Sequence, residues 1–279
     1  MKQKEMLREN SQNPSPLGEG TSNRGIFMKI FACALSKGGT GKTSCAATIA
    51  VELSRLGKTL LVDVDPQGNA TSWLGGESIE SELADVLFGH KDIKQAIYQT
   101  AEKNLFILPT AGLNGQLREY QQNKSPSEPF AFTDMLETVK DIFEYCIIDT
   151  SPAFTSLEKS AINSADEVIA ILQLDEFSAD GFQIFSDNLK SMKKQLHIPA
   201  EKALLKKIVL NSKDNRLSQQ KVFYEDIIGL KEYGYEIFTI PVDQAFKKAQ
   251  QSHISIQQTG SAKPETLLAF KQIAESLSK

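Results

Sequence analysis

The run Ser36-Lys37-Gly38-Gly39-Thr40-Gly41-Lys42-Thr43 has the composition of a phosphate cradle carrying one lysine more than a cradle needs. Glycines let backbone N–H groups turn inward around an anion, and the helix that follows adds the positive end of its dipole. Lys42 and Thr43 supply a charge and a magnesium-binding hydroxyl, and Ser44 carries the run into that helix. An apolar stretch from Ile30 to Leu35 precedes the loop and a helix-like stretch from Ser44 to Leu56 follows it. Strand, glycine loop and helix, in that order, are the context a P-loop requires. Lys37 is left over.

Three acids come later. Asp63-Val64-Asp65-Pro66-Gln67-Gly68-Asn69 follows a second apolar run, and strand alternation predicts Asp63 and Asp65 on one face. They would lie at the C-terminal strand edge, where open α/β sheets bind ligands. Two carboxylates there suit a bound magnesium ion and an oriented water. A solvated Asp-Pro-Gly-Asn turn is the plainer account, and the phosphate loop weighs against it. Tyr145-Cys146-Ile147-Ile148-Asp149 is an apolar strand closed by one acid, the form of a magnesium-supporting aspartate in P-loop nucleotidases. Thr150-Ser151-Pro152-Ala153 then makes a stiff turn suited to sensing a γ-phosphate. Val209-Leu210-Asn211-Ser212-Lys213-Asp214 ends a late strand where related P-loop folds carry an Asn-x-x-Asp against the purine; Asn211 is either an adenine contact or the cap of the next helix.

The elements that must position these residues alternate from Lys29 onward, which predicts a single α/β domain, a mostly parallel twisted sheet with helices on both faces. Predicted strands are 29–36, 59–65, 105–109, 145–149, 168–174, 207–211 and 236–240. Several are near-continuous Ile, Val and Leu, as strands buried on both faces should be. Predicted helices are 42–56, 83–87, 93–100, 130–142, 178–196, 218–229 and 265–277, with a polar loop from Gln121 to Pro129. Neither an internal repeat nor a change of composition marks a second domain within 28–279. Residues 1–27 are polar, without a periodic apolar face, and are expected to be a disordered tail. Met28 directly before the first strand suggests that translation starts there, which a native mass beginning at Met1 would refute.

The chain of 279 residues is 41% apolar, enough for a full core, and its net charge of −4 gives no global pull toward nucleic acid. Cys33, Cys45 and Cys146 are sparse and odd in number, as buried thiols in a reducing cytosol would be. No apolar run approaches the ~20 residues of a membrane span. His90, His197 and His253 lack ligand or triad spacing, and Trp73 with Leu74 would serve equally as part of a dimer face or as an aromatic anchor.

The loop and the ordered acids together resemble the ParA/Soj branch of the deviant Walker P-loop ATPases, relatives of MinD and the nitrogenase iron protein. The similarity rests on Lys37 to Thr43, on Asp-Pro-Gln-Gly-Asn-Ala-Thr-Ser at Asp65 to Ser72, on Leu83 to Leu87, on Asp166 to Val168 and on Glu176 to Gly181, and it spans about 28–279. It implies a cytoplasmic, nucleoid-associated ATPase that uses ATP and Mg2+, slowly unless a ParB-like centromere-binding partner stimulates it. Lys42 would bind the β- and γ-phosphates, Thr43 would ligate magnesium, Asp149 would hold it through water, Asp63 would support the metal shell and Asp65 would orient the attacking water. Lys37 would reach across a two-fold homodimer to the partner's nucleotide, so that two ATP molecules become part of the interface.

Such a dimer would bind double-stranded DNA without sequence preference and partition a chromosome or plasmid. From Lys190 to Lys221 there are nine Lys/Arg against two acids, leaving about −11 for the remainder. Lys206, Lys207, Lys213, Arg216, Lys247 and Lys248 are therefore the candidate phosphate contacts, and a solvated face is the alternative. The family's arginines after the last strand are replaced here by Ile240 to Phe246. A MinD-like membrane role would want a basic amphipathic C-terminal helix, whereas Leu267, Leu268, Phe270, Ile273 and Leu277 are spread as core packing. No stable membrane insertion is expected. The second hypothesis is a MinD-like or orphan ParA-like switch that positions another cargo on nucleoid or membrane.

Overall fold

The computed structural model describes residues 27–76, 79–174, 178–199, 204–214 and 218–279. The residues 1–26, the Glu176-Phe177 pair and Arg216 lie outside them. In chain order the elements are β1 (Lys29–Ala34), α1 (Lys42–Ser54), β2 (Thr59–Asp63), α2 (Asn69–Leu74), α3 (Leu83–Leu87), α4 (Ile93–Ala96), β3 (Tyr98–Gln99) and β4 (Leu105–Leu108). They continue with α5 (Leu117–Asn123), α6 (Ala131–Glu137), β5 (Tyr145–Asp149), α7 (Ser156–Ser164), β6 (Glu167–Gln173) and α8 (Ser178–Gln195). The last are β7 (Leu205–Lys213), α9 (Ser218–Ile228), β8 (Glu236–Pro241), α10 (Ala245–Gln251) and α11 (Pro264–Ser278).

The strands form one sheet in the order β3-β4-β2-β5-β1-β6-β7-β8, parallel throughout except for β3. Alternation within each strand divides the core. Phe31, Cys33, Leu61, Ile107 and Ile147 face α1, α2 and α11, while Ala32, Ala34, Leu60, Val62 and Ile148 face the helices from α3 to α9. α1 is buried on nearly all sides between the sheet and α11, which explains its lack of a polar face. β1 lies between β5 and β6, and the chain winds outward on either side of it, so the crevice above β1 is the topological switch point.

Register brings the acids together. Asp63 pairs with Asp149, which in turn pairs with Cys33 at the C-terminal edge. β2 stops at Asp63, since Pro66 cannot donate to a ladder and disfavours sheet continuation. Asp65 therefore stands in a loop, and the expected sharing of one strand face by Asp63 and Asp65 does not occur. The helix predicted over 93–100 ends at Ala96, because Ile97 is extended (φ −93°, ψ 129°) and Tyr98 and Gln99 pair antiparallel with Ile107 and Phe106. The predicted loop 121–129 holds the end of α5 and a 3-10 turn at Ser125–Ser127. Helices α2, α7 and α10 were not expected. α7 had a legible signal, a capping box in which Thr155 and Glu158 exchange side-chain and backbone bonds.

Phe270, Ile273 and Leu277 of α11 are buried, and Phe270 meets Phe246 edge-on at 6.0 Å. This helix belongs to the core, as its sequence suggested, except that Leu268, expected to pack with the others, is exposed. All three cysteines are buried and free. Phe270→Ala should cost about 3–5 kcal/mol in urea unfolding; a loss too small to resolve would mean that α11 is dispensable to the domain.

Candidate nucleotide-binding site

The phosphate loop leaves β1 and enters α1 through Gly41, whose φ of 87° is left-handed, as is the 74° of Gly39. A β-carbon on Gly41 would collide with the Asn211 amide, which donates to the Thr40 carbonyl at 2.9 Å. Asn211, buried at the end of β7, thus braces the back of the loop. One N–H of its amide is committed there, it is not among the residues lining the cavity in front, and its Oδ1 and second N–H remain for the adenine contact expected of it. Lys42 is buried, and its Nζ donates to the Lys37 carbonyl at 2.7 Å. Burial lowers the affinity of Lys42 for its proton, and Asp149 and Asp65 work against that loss. Lys37 is half-buried at the start of the loop, outside the cavity lining.

The three acids have different surroundings. Asp63 is fully buried; its Oδ2 accepts the Thr71 N–H at 2.8 Å and hydroxyl at 2.7 Å, and its Oδ1 accepts the Asp65 N–H at 3.3 Å. Thr110 extends the network, donating its N–H to the Thr71 hydroxyl and its own hydroxyl to the Asp63 carbonyl. Asp63 therefore ties the ends of β2 and β4 to α2, and this bonding removes it from the predicted metal shell. Burial raises its carboxyl to about 7, against the pull of the Thr71 bonds.

Asp149 is equally buried, yet among the described residues the Thr43 hydroxyl is the one donor near its carboxylate, too poorly placed to make a well-formed hydrogen bond. Burial, then the neighbouring Asp63, push its carboxyl well above the ordinary range, while the nearby Thr43 hydroxyl and Lys42 favour the charged form. A buried carboxylate so weakly partnered is costly. Beside a threonine hydroxyl at a helix N-terminus it has the chemistry of a site completed by a divalent cation. Among the described residues no cluster of three or more His, Cys, Asp or Glu makes a protein-only cage. Magnesium suits such a place, because it is commonly held by one or two protein oxygens together with substrate phosphates. Asp65, by contrast, lines the open cavity, its Oδ1 fixed by the Gln67 N–H at 2.9 Å.

That cavity has a volume of about 670 Å³. The phosphate loop forms one wall, Asp65 to Gln67 with Asn69 a second, and Thr150 to Ala153 a third. The last is anchored by the Thr150 hydroxyl on the Cys33 carbonyl (2.9 Å) and by the Ser151 hydroxyl on Glu158 (2.6 Å). Sequence reasoning missed a fourth wall, made by Arg118, Gln121 and Gln122 of α5. Its signal was the pair Leu117 and Tyr120, three apart and both buried, in a short polar segment. A smaller cavity of about 350 Å³ opens between Thr43, Asn69, Ser72, Trp73 and Gln250. Gln250 Nε2 donates to Ser44 Oγ at 3.1 Å, which connects α10 to the first turn of α1 just after the phosphate loop. Trp73 is buried and donates Nε1–H to the Ile254 carbonyl at 2.8 Å, so the indole is an anchor.

The predicted basic patch divides. Lys207 is 8% exposed and lies between Glu167 (3.0 Å) and Glu236 (3.2 Å), all three at strand starts; it is withdrawn from any phosphate-contacting surface. Lys206, exposed, shares that N-terminal sheet edge. Lys213 ends the same strand, roughly 20 Å away by strand rise, with its Nζ 3.5 Å above the Tyr224 ring. Lys247 and Lys248 are exposed on α10, near the nucleotide edge, where Lys248 donates to the Thr259 carbonyl at 3.1 Å.

A family model described as an AAA domain matches residues 28–202. The virulence plasmid ParA family protein pGP5-D of Chlamydia trachomatis is 35% identical over 196 residues, covering 69% of this chain and 72% of that protein. The sporulation initiation inhibitor protein Soj of Bacillus subtilis is 34% identical over 173 residues, covering 61% of this chain and 66% of that one. Among solved structures, a variant of Cyanothece McdA in complex with ATP superposes with a TM-score of 0.78 at 25% identity, covering 91% of this chain and 97% of that one.

Because the raised carboxyl of Asp149 makes its charged form the costly one, Asp149→Asn should stabilise the nucleotide-free protein, by about 1–3 kcal/mol at pH 8. The gain should shrink as pH falls through the raised range in which Asp149 takes up its proton toward the ordinary carboxylate range, where the native carboxyl is neutral in both the folded and unfolded chain. Urea unfolding at several pH values checks this, and Mg2+ with nucleotide should stabilise the native protein but not the variant.

Proposed function

The chain belongs to the ParA family of P-loop ATPases, and from that premise we propose that it is an ATP-switched partitioning protein whose nucleotide state controls its grip on DNA. The observation that carries the nucleotide part is Asp149, a fully buried carboxylate set behind Thr43, which lines a cavity whose other walls include the phosphate loop and Asp65. ATP is the substrate. The N–H groups of Gly38 to Thr43 and the Lys42 ammonium take the β- and γ-phosphates, and Thr43 and Asp149 hold Mg2+, which neutralises charge on the phosphates when bound. Asp65 orients the attacking water, with its loop held by Asp63 through Thr71. Such a site works by positioning and charge neutralisation. Hydrolysis is slow until a partner completes the arrangement, and turnover of tens per second by the protein alone would contradict the switch.

Lys37 acts in trans. With its carbonyl held by Lys42 and its side chain outside the cavity lining, its ammonium serves a second protomer's nucleotide, so that ATP joins two copies of the chain. Lys37→Ala should then lose ATP-dependent dimerisation while keeping the fold. An unchanged sedimentation profile with ATP would refute the sandwich.

DNA is held by Lys213, Lys247 and Lys248 rather than by the larger set expected from the sequence, since only these share the nucleotide edge of the sheet among the described candidates. A ParB-like protein triggers hydrolysis and release. The same division of the patch favours a second reading, a positioning switch for another cargo, because it leaves fewer cations on one surface. Among the described residues no helix is long and apolar enough to cross a membrane. Binding to random duplex DNA against anionic vesicles, with and without ATP, separates the readings. If three lysines of each protomer meet phosphates, log affinity should fall with log salt at a slope of roughly −5. Lys247→Ala with Lys248→Ala should flatten that slope and Lys206→Ala should not; binding to neither surface would leave the cargo reading.

A further inference from the structure

The wall formed by α5 has no counterpart in the motifs that identify the nucleotide site. It is held firmly from beneath. Leu117 and Tyr120 are buried one turn apart, and the Tyr120 hydroxyl donates to Glu128 at 2.6 Å. The segment leading into the helix is pinned by Glu82, whose carboxylate accepts the N–H groups of Ala111 at 2.5 Å and Gln116 at 2.8 Å. Gly115 packs so closely on that carboxylate that a β-carbon there would lie 2.6 Å from it. Arg118 is thus fixed at its backbone and exposed at its head, which opens into the cavity. Its side chain makes no hydrogen bond or ion pair among the described residues.

Sheet order says which end of a bound nucleotide this cation meets. Lys42, Thr43 and Asp65 mark the terminal-phosphate end, and Asp65 follows β2. β4 lies just beyond β2, and α5 follows β4, so Arg118 stands on the Asp65 side of the loop. Asn211 and β7 stand on the other. Gln121 carries a contact onward from α5: its Nε2 donates to Thr155 Oγ1 at 2.9 Å and Glu158 Oε1 at 3.3 Å. Glu158 also accepts the Ser151 hydroxyl, from the loop that forms another wall of the cavity.

We propose that Arg118 is a specificity-determining residue whose guanidinium closes on the terminal phosphate of ATP bound in the same protomer, so that α5 distinguishes ATP from ADP. This rests on the ATP site assigned above. A guanidinium presents planar, paired donors that match phosphate oxygens, and its contacts with an anion are the strong, charge-assisted kind. ADP offers no phosphate at that position. The difference passes through Gln121 and Glu158 to the loop carrying Ser151, which thereby takes different positions with the two nucleotides.

Calorimetric titration of the full chain with Mg2+ and either ADP or a non-hydrolysable ATP analogue tests this in the native protein, Arg118→Ala and Arg118→Lys. Arg118→Ala should weaken the analogue about ten-fold or more while ADP affinity stays within about two-fold, and Arg118→Lys should recover part of the loss. Equal weakening of both nucleotides, or of neither, overturns the inference and leaves the site intact. A native protein that binds neither nucleotide would overturn the site itself. Repeating the pair in a Lys37→Ala background locates the contact: an ATP-selective loss that persists places it in the same protomer, and one that vanishes rules that out.

Discussion

Two carboxylates facing one another at adjacent strand ends, in a place without water, are the constraint on which this molecule turns. Asp63 and Asp149 are neighbours by sheet register, so neither can move away from the other without breaking the ladder. Like charges at that separation in a dry medium cannot both be carried cheaply. The chain resolves the conflict unequally. Asp63 receives three donors and is absorbed into the scaffold, whereas Asp149 has only the poorly placed Thr43 hydroxyl and keeps its demand for a cation. A ligand that brings positive charge to Thr43 relieves a strain already present, which is why the nucleotide-free site is costly and the occupied one is not.

Around that centre the supports are local and redundant. Asn211 braces the phosphate loop from β7, Gln250 of α10 braces the first turn of α1, and Thr71 with Thr110 fixes the loop that carries Asp65. The Asn211 and Thr110 bonds are buried, where each is worth more than in water and an unmade one is expensive, while the Gln250 bond is exposed and weaker. Pre-set geometry is what phosphoryl transfer asks of a protein. The four walls of the cavity are each tied to a different strand of the sheet, so their spacing follows from strand order rather than from the loops themselves.

Much of this was legible in the chain. The strand, loop and helix around Gly38 to Thr43, the apolar β5 closed by Asp149 and the alternation of the remaining elements are local patterns, and local patterns survive in a linear text. What failed depended on distance. Whether Asp63 faces a metal depends on Thr71 and Thr110, eight and forty-seven residues away. Lys207 looked like one of nine cations in a run, yet β6 and β8 put a glutamate on each side of it. Asn211 stands at the expected strand end, and its bond to the Thr40 carbonyl is a partner that its sequence neighbours did not announce. α5 was hidden because its apolar face amounts to two residues, too few for a period to show.

Helix α10 has seven residues, about 10 Å of rise, and carries Gln250 on the first turn of α1 three positions beyond Lys247 in solvent. Residues three apart on so short a rod share one side of it and cannot be displaced separately. The bond from Gln250 to Ser44 therefore fixes where Lys247 stands as well. Electrostatic attraction to a polyanion falls off within a Debye length of about 8 Å at physiological salt. Within that range the attraction varies continuously with distance, so where α10 holds Lys247 sets how strongly that corner of the surface draws an anion.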